Sequence, residues 1–126
     1  MIEKDIKILI CEDEPIIALD LQNTINRFGY KVTSMVKTGE ELLQKTIDDK
    51  PDIIISDIRL KGKSTSLNAL QSISSNQKIP IIFLSGLSNA LEITSSLSID
   101  PCYHIAKPFV PSSLKETIEK CISGGK

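Results

Sequence analysis

The alternation of apolar and polar positions divides this chain into short strands separated by helical patterns. Five apolar runs predict strands at 6–11 (IKILIC), 31–36 (KVTSMV), 52–56 (DIIIS), 80–85 (PIIFLS) and 102–106 (CYHIA). The runs at 52–56 and 80–85 are continuously apolar, as in parallel strands covered on both faces, whereas 31–36 alternates and predicts a position near a sheet edge. Between them, residues 15–28 place Ile17, Leu21, Ile25 and Phe28 on one helical stripe, with Pro15 at the first helical position and Gly29 at the stop. Thr38 and Glu41 are spaced as a capping box for a helix at 39–49. Residues 111–122 align Leu114, Ile118, Cys121 and Ile122 ahead of Gly124 and Gly125. Serine-rich segments at about 65–75 and 88–98 have weaker stripes and predict helices less well fixed by packing.

Strands and helices alternating at this spacing predict an α/β fold: a doubly wound, five-stranded parallel sheet with right-handed crossovers. The strand order 2-1-3-4-5 is the common arrangement at this length and puts the ligand crevice at the switch between strands 1 and 3. No internal linker or repeat is visible, so residues 1–126 read as a single domain with an ordered core at about 5–122.

The chemistry lies at the strand ends. In ILICEDEPII (8–17) an apolar strand runs straight into Glu12, Asp13 and Glu14. Crowded carboxylates at the end of a buried strand repel one another and lose solvation, so a bound cation is the expected compensation. Asp57 follows the third strand, Ser85 ends the fourth and Lys107 follows the fifth. In an open α/β sheet all these ends line one crevice. Carboxylates of this kind suit Mg²⁺, which takes a few protein oxygens and keeps water or phosphate oxygens for its other positions. One carboxylate can attack phosphorus to give an acyl phosphate, Lys and metal neutralise the phosphoryl charge, and a serine hydroxyl can donate to a phosphoryl oxygen. Taken singly, Asp57 reads as a turn acid, Glu12 and Asp13 as first-turn acids, Ser85-Gly86 as a plain turn, and Lys107-Pro108 as nearly uninformative. It is their joint placement at successive strand ends that carries the argument.

Composition narrows the rest. Lys and Arg number 15 against 16 Asp and Glu, a net charge of −1, which argues against direct nucleic-acid binding. Cys11, Cys102 and Cys121 form neither a disulfide framework nor a zinc pattern and read as reduced, small core residues of a cytoplasmic protein. No apolar run approaches the roughly 20 residues of a membrane span, and the N-terminal apolar stretch is short for a signal peptide.

The acidic pair Glu12-Asp13, Asp57, Ser85 and the KPF of 107–109, in this order and at similar intervals, resemble the receiver domain of two-component response regulators, a flavodoxin-like fold, over essentially the whole chain. The resemblance implies that Asp57 is the phosphoacceptor. Asp13 and Asp57 would be direct Mg²⁺ ligands, with Glu12 acting through water and the backbone carbonyl of Arg59 completing the protein ligands. Lys107 would pair with the phosphoryl group and Ser85 would be the switch hydroxyl, while the Lys107–Pro108 bond is often cis in this family. His104 stands where receivers prefer Tyr or Phe, a residue that swings inward on activation, and is the candidate switch side chain. Thr65, Ser66 and Leu67 replace a common loop glycine, and IDPC replaces a common Gly-Ala before the fifth strand. The implied partners are a sensor histidine kinase or phosphotransfer protein and a downstream output domain or protein. The output face is made by the helix at 88–98, the strand at 102–106 and the helix at 111–122, where a homodimer could also form. The chain would be no enzyme beyond weak self-catalysed phosphoryl transfer and dephosphorylation. Competing readings are a degenerate receiver acting only as a docking module, an aspartyl-phosphate phosphatase, whose second Asp is Arg59 here, and a flavin carrier, whose cofactor phosphate CEDEP would repel.

Overall fold

Isoleucine runs set the architecture. In a computed structural model, which describes residues 5–57, 65–86, 99 and 101–123, the central strands β3 (Ile53–Asp57) and β4 (Ile81–Ser85) are buried at every position. β1 (Lys7–Cys11) is buried from Ile8 onward, while β2 (Lys31–Val36) and β5 (Cys102–Ala106) are only partly covered. All pairings are parallel and the order is β2-β1-β3-β4-β5, so the alternating segment at 31–36 does form an edge. β2 carries an irregularity: Ile8 pairs with Val32 but Leu9 pairs with Ser34, leaving Thr33 as an extra residue in a bulge.

Helices cover both faces. α1 (Pro15–Arg27) and α4 (Pro111–Ile122) seal one side, where Leu21, Ile25, Leu114, Ile118 and Cys121 pack on Ile8, Ile10, Ile55 and Leu84. α2 (Gly39–Asp49) and α3 (Thr65–Asn76) seal the other, where Leu42, Leu70 and Ile73 pack on Leu9, Ile54 and Phe83. Each fully buried Leu, Ile or Phe contributes about 1.5–3 kcal/mol. Contrary to the expectation from its serine content, α3 is firmly anchored, because Ala69, Leu70 and Ile73 form a compact apolar turn. Ile122 is 44% exposed and does not join the α4 stripe, and Cys102 is partly rather than fully buried. The helix expected at 88–98 lies outside the described residues.

Strand 3 is displaced by one residue from 52–56. Asp52 instead joins strand ends: its N–H donates to the Lys7 carbonyl at 2.8 Å and its carboxylate accepts the Lys7 N–H at 2.9 Å. Asp57 is therefore the last residue of β3, still paired in register with Leu84.

Helix ends follow local chemistry. Thr38 accepts the Glu41 N–H at 3.1 Å, and the Glu41 carboxylate accepts the Lys37 N–H at 2.8 Å, closing the capping box one residue before the cap. α1 stops in a Schellman turn: Tyr30 N–H donates to Ile25 and Gly29 N–H to Asn26, with Gly29 at φ +96°. Lys50 closes α2 at φ 51°, a left-handed conformation that disfavours a Cβ.

These two caps predict opposite responses. A Cβ at Gly29 would meet nothing within 4 Å, so Gly29→Ala is penalised by backbone strain alone, about 1–2 kcal/mol. Lys50→Gly should raise stability by about 0.5 kcal/mol, the relieved strain being partly offset by a freer unfolded chain. Urea unfolding midpoints measure both, and a Gly29→Ala midpoint equal to the native one would contradict the cap assignment.

Candidate functional site

Because the strands run parallel, the C-terminal ends of β1, β3, β4 and β5 open onto one edge of the sheet. There Glu12, Asp13 and Asp57 approach so closely that one carboxylate oxygen from each lies within 4.8 Å of the others. Glu12 and Asp57 are buried and Asp13 is exposed. Lys107 reaches back from the end of β5, its Nζ 2.9 Å from Asp57 Oδ1 and 3.3 Å from Glu12 Oε1. The backbone ties the same elements, since the Lys107 N–H donates to the Ser85 carbonyl at 3.0 Å. Ser85 is itself buried at the end of β4. Glu12, Asp13, Asp57, Ser85 and Lys107 thus gather at one edge, as their sequence positions require. Arg59 lies outside the described residues.

The electrostatics are unbalanced. Two unit charges about 4 Å apart near a protein surface interact by on the order of 4 kcal/mol, so repulsion among the acids rivals the attraction to Lys107. Burial, and then the Asp57 charge, push the Glu12 carboxyl above its ordinary 4.5, although the Glu14 N–H, donating to Oε2 at 3.1 Å, and the Lys107 ammonium oppose this. Burial alone would lower the Lys107 pKa, but hydrogen bonding and attraction from Asp57 and Glu12 outweigh it and hold the ammonium above its ordinary 10.5. Lys107 therefore stays charged, and the site retains an excess of hard carboxylate oxygens. That donor set fits Mg²⁺, which prefers carboxylate and water oxygens, and does not fit soft metals.

His104 and Tyr103 point to opposite faces, as neighbours on a strand must. Tyr103 packs with the α1–α4 side, while His104 stacks on buried Phe83, its register partner on β4, with ring centroids 5.6 Å apart and planes at 26°. His104 is half-buried, and burial lowers its pKa from the ordinary 6.5. The Lys107–Pro108 peptide bond is cis. One feature is not apparent from the sequence alone: beneath the carboxylates, Cys11 and Ser56 face each other across β1 and β3. The only sequence signal is that each directly precedes an acid, and their pairing emerges only with the register. Among the described residues no helix is long and apolar enough to cross a membrane.

Known proteins share this fold. Residues 8–119 match the family described as the response regulator receiver domain. The chain is 30% identical over 117 residues to the phyllosphere-induced regulator PhyR of Methylorubrum extorquens, covering 92% of this chain and 43% of that protein. It is 27% identical to the transcriptional regulatory protein PdtaR of Mycobacterium tuberculosis, covering 93% of this chain and 57% of that one. The chain therefore spans 43% and 57% of these two relatives. The signal receiver domain of a modulated diguanylate cyclase from Desulfovibrio desulfuricans G20 superposes with a TM-score of 0.84 at 26% identity, covering 96% of each chain. The anti-anti-sigma factor PhyR from Bartonella quintana gives 0.81 at 27%, covering 98% of this chain and 49% of that one. Matched by the family model over residues 8–119 and sharing its fold with these solved structures, the chain belongs to the response regulator receiver domain family.

Proposed function

We propose that this receiver domain is a phosphoryl-accepting switch of a two-component relay, with Asp57 as the acceptor and a phosphohistidine of a sensor kinase or phosphotransfer protein as the donor. The observation that carries this reading is the Asp57 carboxylate held 2.9 Å from the Lys107 ammonium inside a cluster of acids at the sheet's open edge. An Asp57 oxygen attacks phosphorus and forms the O–P bond as the donor's N–P bond breaks. The bonding pair leaves with the imidazole nitrogen. Lys107, already charged and within reach, neutralises the phosphoryl oxygens, and the Ser85 hydroxyl donates a hydrogen bond to one of them. Glu12, Asp13 and Asp57 would hold Mg²⁺, which when bound supplies further charge neutralisation at the phosphorus. The product is an acyl phosphate that water hydrolyses slowly, so the chain relays a signal rather than turning over a small substrate.

The relatives PhyR and PdtaR are named as regulators and are longer than this chain, which supports an output module or partner beyond the receiver. Among the described residues, the face that would engage it comprises β5 and α4, through which a homodimer could also form. Buried free thiols suit the cytoplasm: burial, together with the nearby Glu12, Asp57 and Asp13 charges, outweighs the Ser56 hydrogen bond and holds the Cys11 pKa at about 11, while burial of Cys121 raises it to about 12.

Metal and phosphorylation are tested together. Mg²⁺ at about 1–10 mM should raise the thermal midpoint of the native chain, and Asp13→Ala should abolish the rise without unfolding the protein, because Asp13 is the exposed acid. Incubation with acetyl phosphate and Mg²⁺ should add a single phosphoryl group, seen by intact mass and removed by hydroxylamine. Asp57→Asn and metal removal should each block it. A hydroxylamine-stable adduct, or one on Ser85, would overturn the assignment.

His104 predicts a pH effect of known sign. Its folded pKa lies below its unfolded one, so in that interval the unfolded chain binds more protons and stability falls as pH falls. His104→Phe keeps an aromatic partner for Phe83 and removes the titration. The stability advantage of the Phe variant over the native chain should therefore grow between about pH 7.5 and about pH 5.5. Parallel midpoint-versus-pH curves for the two proteins would show that His104 is not the group responsible.

A further inference from the structure

The two outer strands of the sheet are unlike. β2 breaks its regular pairing at Thr33, whereas β5 pairs with β4 from Cys102 to Ala106 without a shift and contains no Asp, Glu, Lys or Arg. The Ile81 N–H donates to the Pro101 carbonyl at 3.1 Å and the Lys107 N–H to the Ser85 carbonyl at 3.0 Å. Successive residues of a strand turn their backbone groups to opposite sides, so Pro101, Tyr103, Ile105 and Lys107 face β4, while Cys102, His104 and Ala106 direct N–H and C=O to the outer side. Among the described residues no strand lies on that side. A regular, uncharged edge is the kind that accepts a further strand, because it lacks the bulges and charges that usually deter one.

The surface beside this edge narrows the choice of occupant. A groove of about 260 Å³ is lined by His104, Ile105 and Ala106 of β5 and by Ser113, Glu116 and Thr117 of α4, with no residue of β4 in its walls. Pro108 and Val110, both exposed, extend it with apolar surface. The Thr117 hydroxyl donates to the Ser113 carbonyl at 2.9 Å, and the Lys107 ammonium is held by Asp57 and Glu12. Among the described residues, the exposed Glu116 therefore supplies the only carboxylate of the groove, and no Lys or Arg lines it. A second copy joined antiparallel at this edge would set both α4 helices on one face of a continuous sheet and turn Glu116 toward Glu116, whereas a basic segment complements it. We propose that the outer edge of β5 takes an extended, basic segment of the output partner as an added strand, about five residues long, with a Lys or Arg at Glu116 and apolar residues over Pro108 and Val110. Main-chain hydrogen bonds would supply the affinity and Glu116 the selectivity. The inference rests on the switch function proposed above and specifies how its output face is read.

Fluorescence anisotropy with a labelled peptide, Thr-Val-Thr-Lys-Thr-Val-Thr, tests this mode on the native chain. In an extended peptide the Val and Lys side chains share one side. Replacing the peptide's Lys with Glu should weaken binding about 3–5-fold, as for an exposed ion pair, and Glu116→Lys should invert the preference. A strand added at an edge pairs along one side only. N-methylation of one alternate set of peptide amides should therefore cost at least about tenfold, and of the other set little. Ala106→Pro, which removes an outward N–H that an edge strand can spare, should weaken binding similarly, with the thermal midpoint checking that the variant is folded. Hydrogen exchange at the Ala106 amide should slow when the peptide binds. No binding of the Lys peptide, equal affinity for all methylated forms, or self-association of the native chain through β5 in place of peptide binding would overturn strand addition. Phosphorylation of Asp57 by acetyl phosphate and Mg²⁺, read by intact mass on the same preparation, keeps the two readings apart. Normal phosphorylation without strand-like binding overturns the docking mode and leaves the proposed function standing. A native chain that takes no phosphoryl group overturns the proposed function, and the output role of this edge with it.

Discussion

Parallel strands impose a polarity on the whole molecule. Every strand begins at one edge of the sheet and ends at the other, so whatever side chains follow the apolar runs are delivered to a common rim. Here the rim receives Glu12, Asp13 and Asp57, and the Lys107 ammonium bridges the two buried acids at 2.9 and 3.3 Å. That bridge is geometrically tight but electrostatically incomplete. The remaining negative charge, in a setting where burial already opposes ionisation of Glu12, makes the crevice a receptor for further positive charge. The fully buried strands β3 and β4 hold this arrangement in place, since neither can shift by one residue without turning its isoleucines away from their helices.

Much of this was legible in the sequence because the signals are redundant. Continuous apolar runs marked β3 and β4, alternation marked the edge strand β2, and Pro15, Thr38 and Gly29 marked helix ends that the structure uses for those purposes. The acids and Lys107 could be assigned to one crevice because topology alone brings parallel strand ends together. What escaped depends on packing. Asp52 looked like the first residue of a strand, but its carboxylate serves the Lys7 N–H, which shifted the strand and placed Asp57 within it. The serine-rich stretch of α3 concealed an apolar turn strong enough to anchor the helix, and Ile122 fell just beyond the buried arc of α4. The pairing of Cys11 with Ser56 exists only once the β1–β3 register is known.

The stack of His104 on Phe83 links the rim to the edge of the sheet. Phe83 lies two residues before Ser85 on β4, and His104 lies three before Lys107 on β5, so the two rings sit one step below the residues tied by the Lys107–Ser85 hydrogen bond. An imidazole in that place makes the contact responsive to protonation, which a phenyl or phenol ring would not.

The bulge at Thr33 bears on how the molecule behaves when concentrated. An open sheet leaves the outer backbone of its edge strands available to another chain, a starting point for sheet-to-sheet growth into aggregates. β2 interrupts its own regular pairing at Thr33, begins at the exposed Lys31 and is followed by the exposed Lys37. A second copy aligned antiparallel along this edge would have to fit an irregular strand and bring Lys31 of one chain toward Lys37 of the other, like charges in direct opposition. This edge is thus poorly suited to templating its own copy, which disfavours sheet-to-sheet growth between copies in concentrated solution.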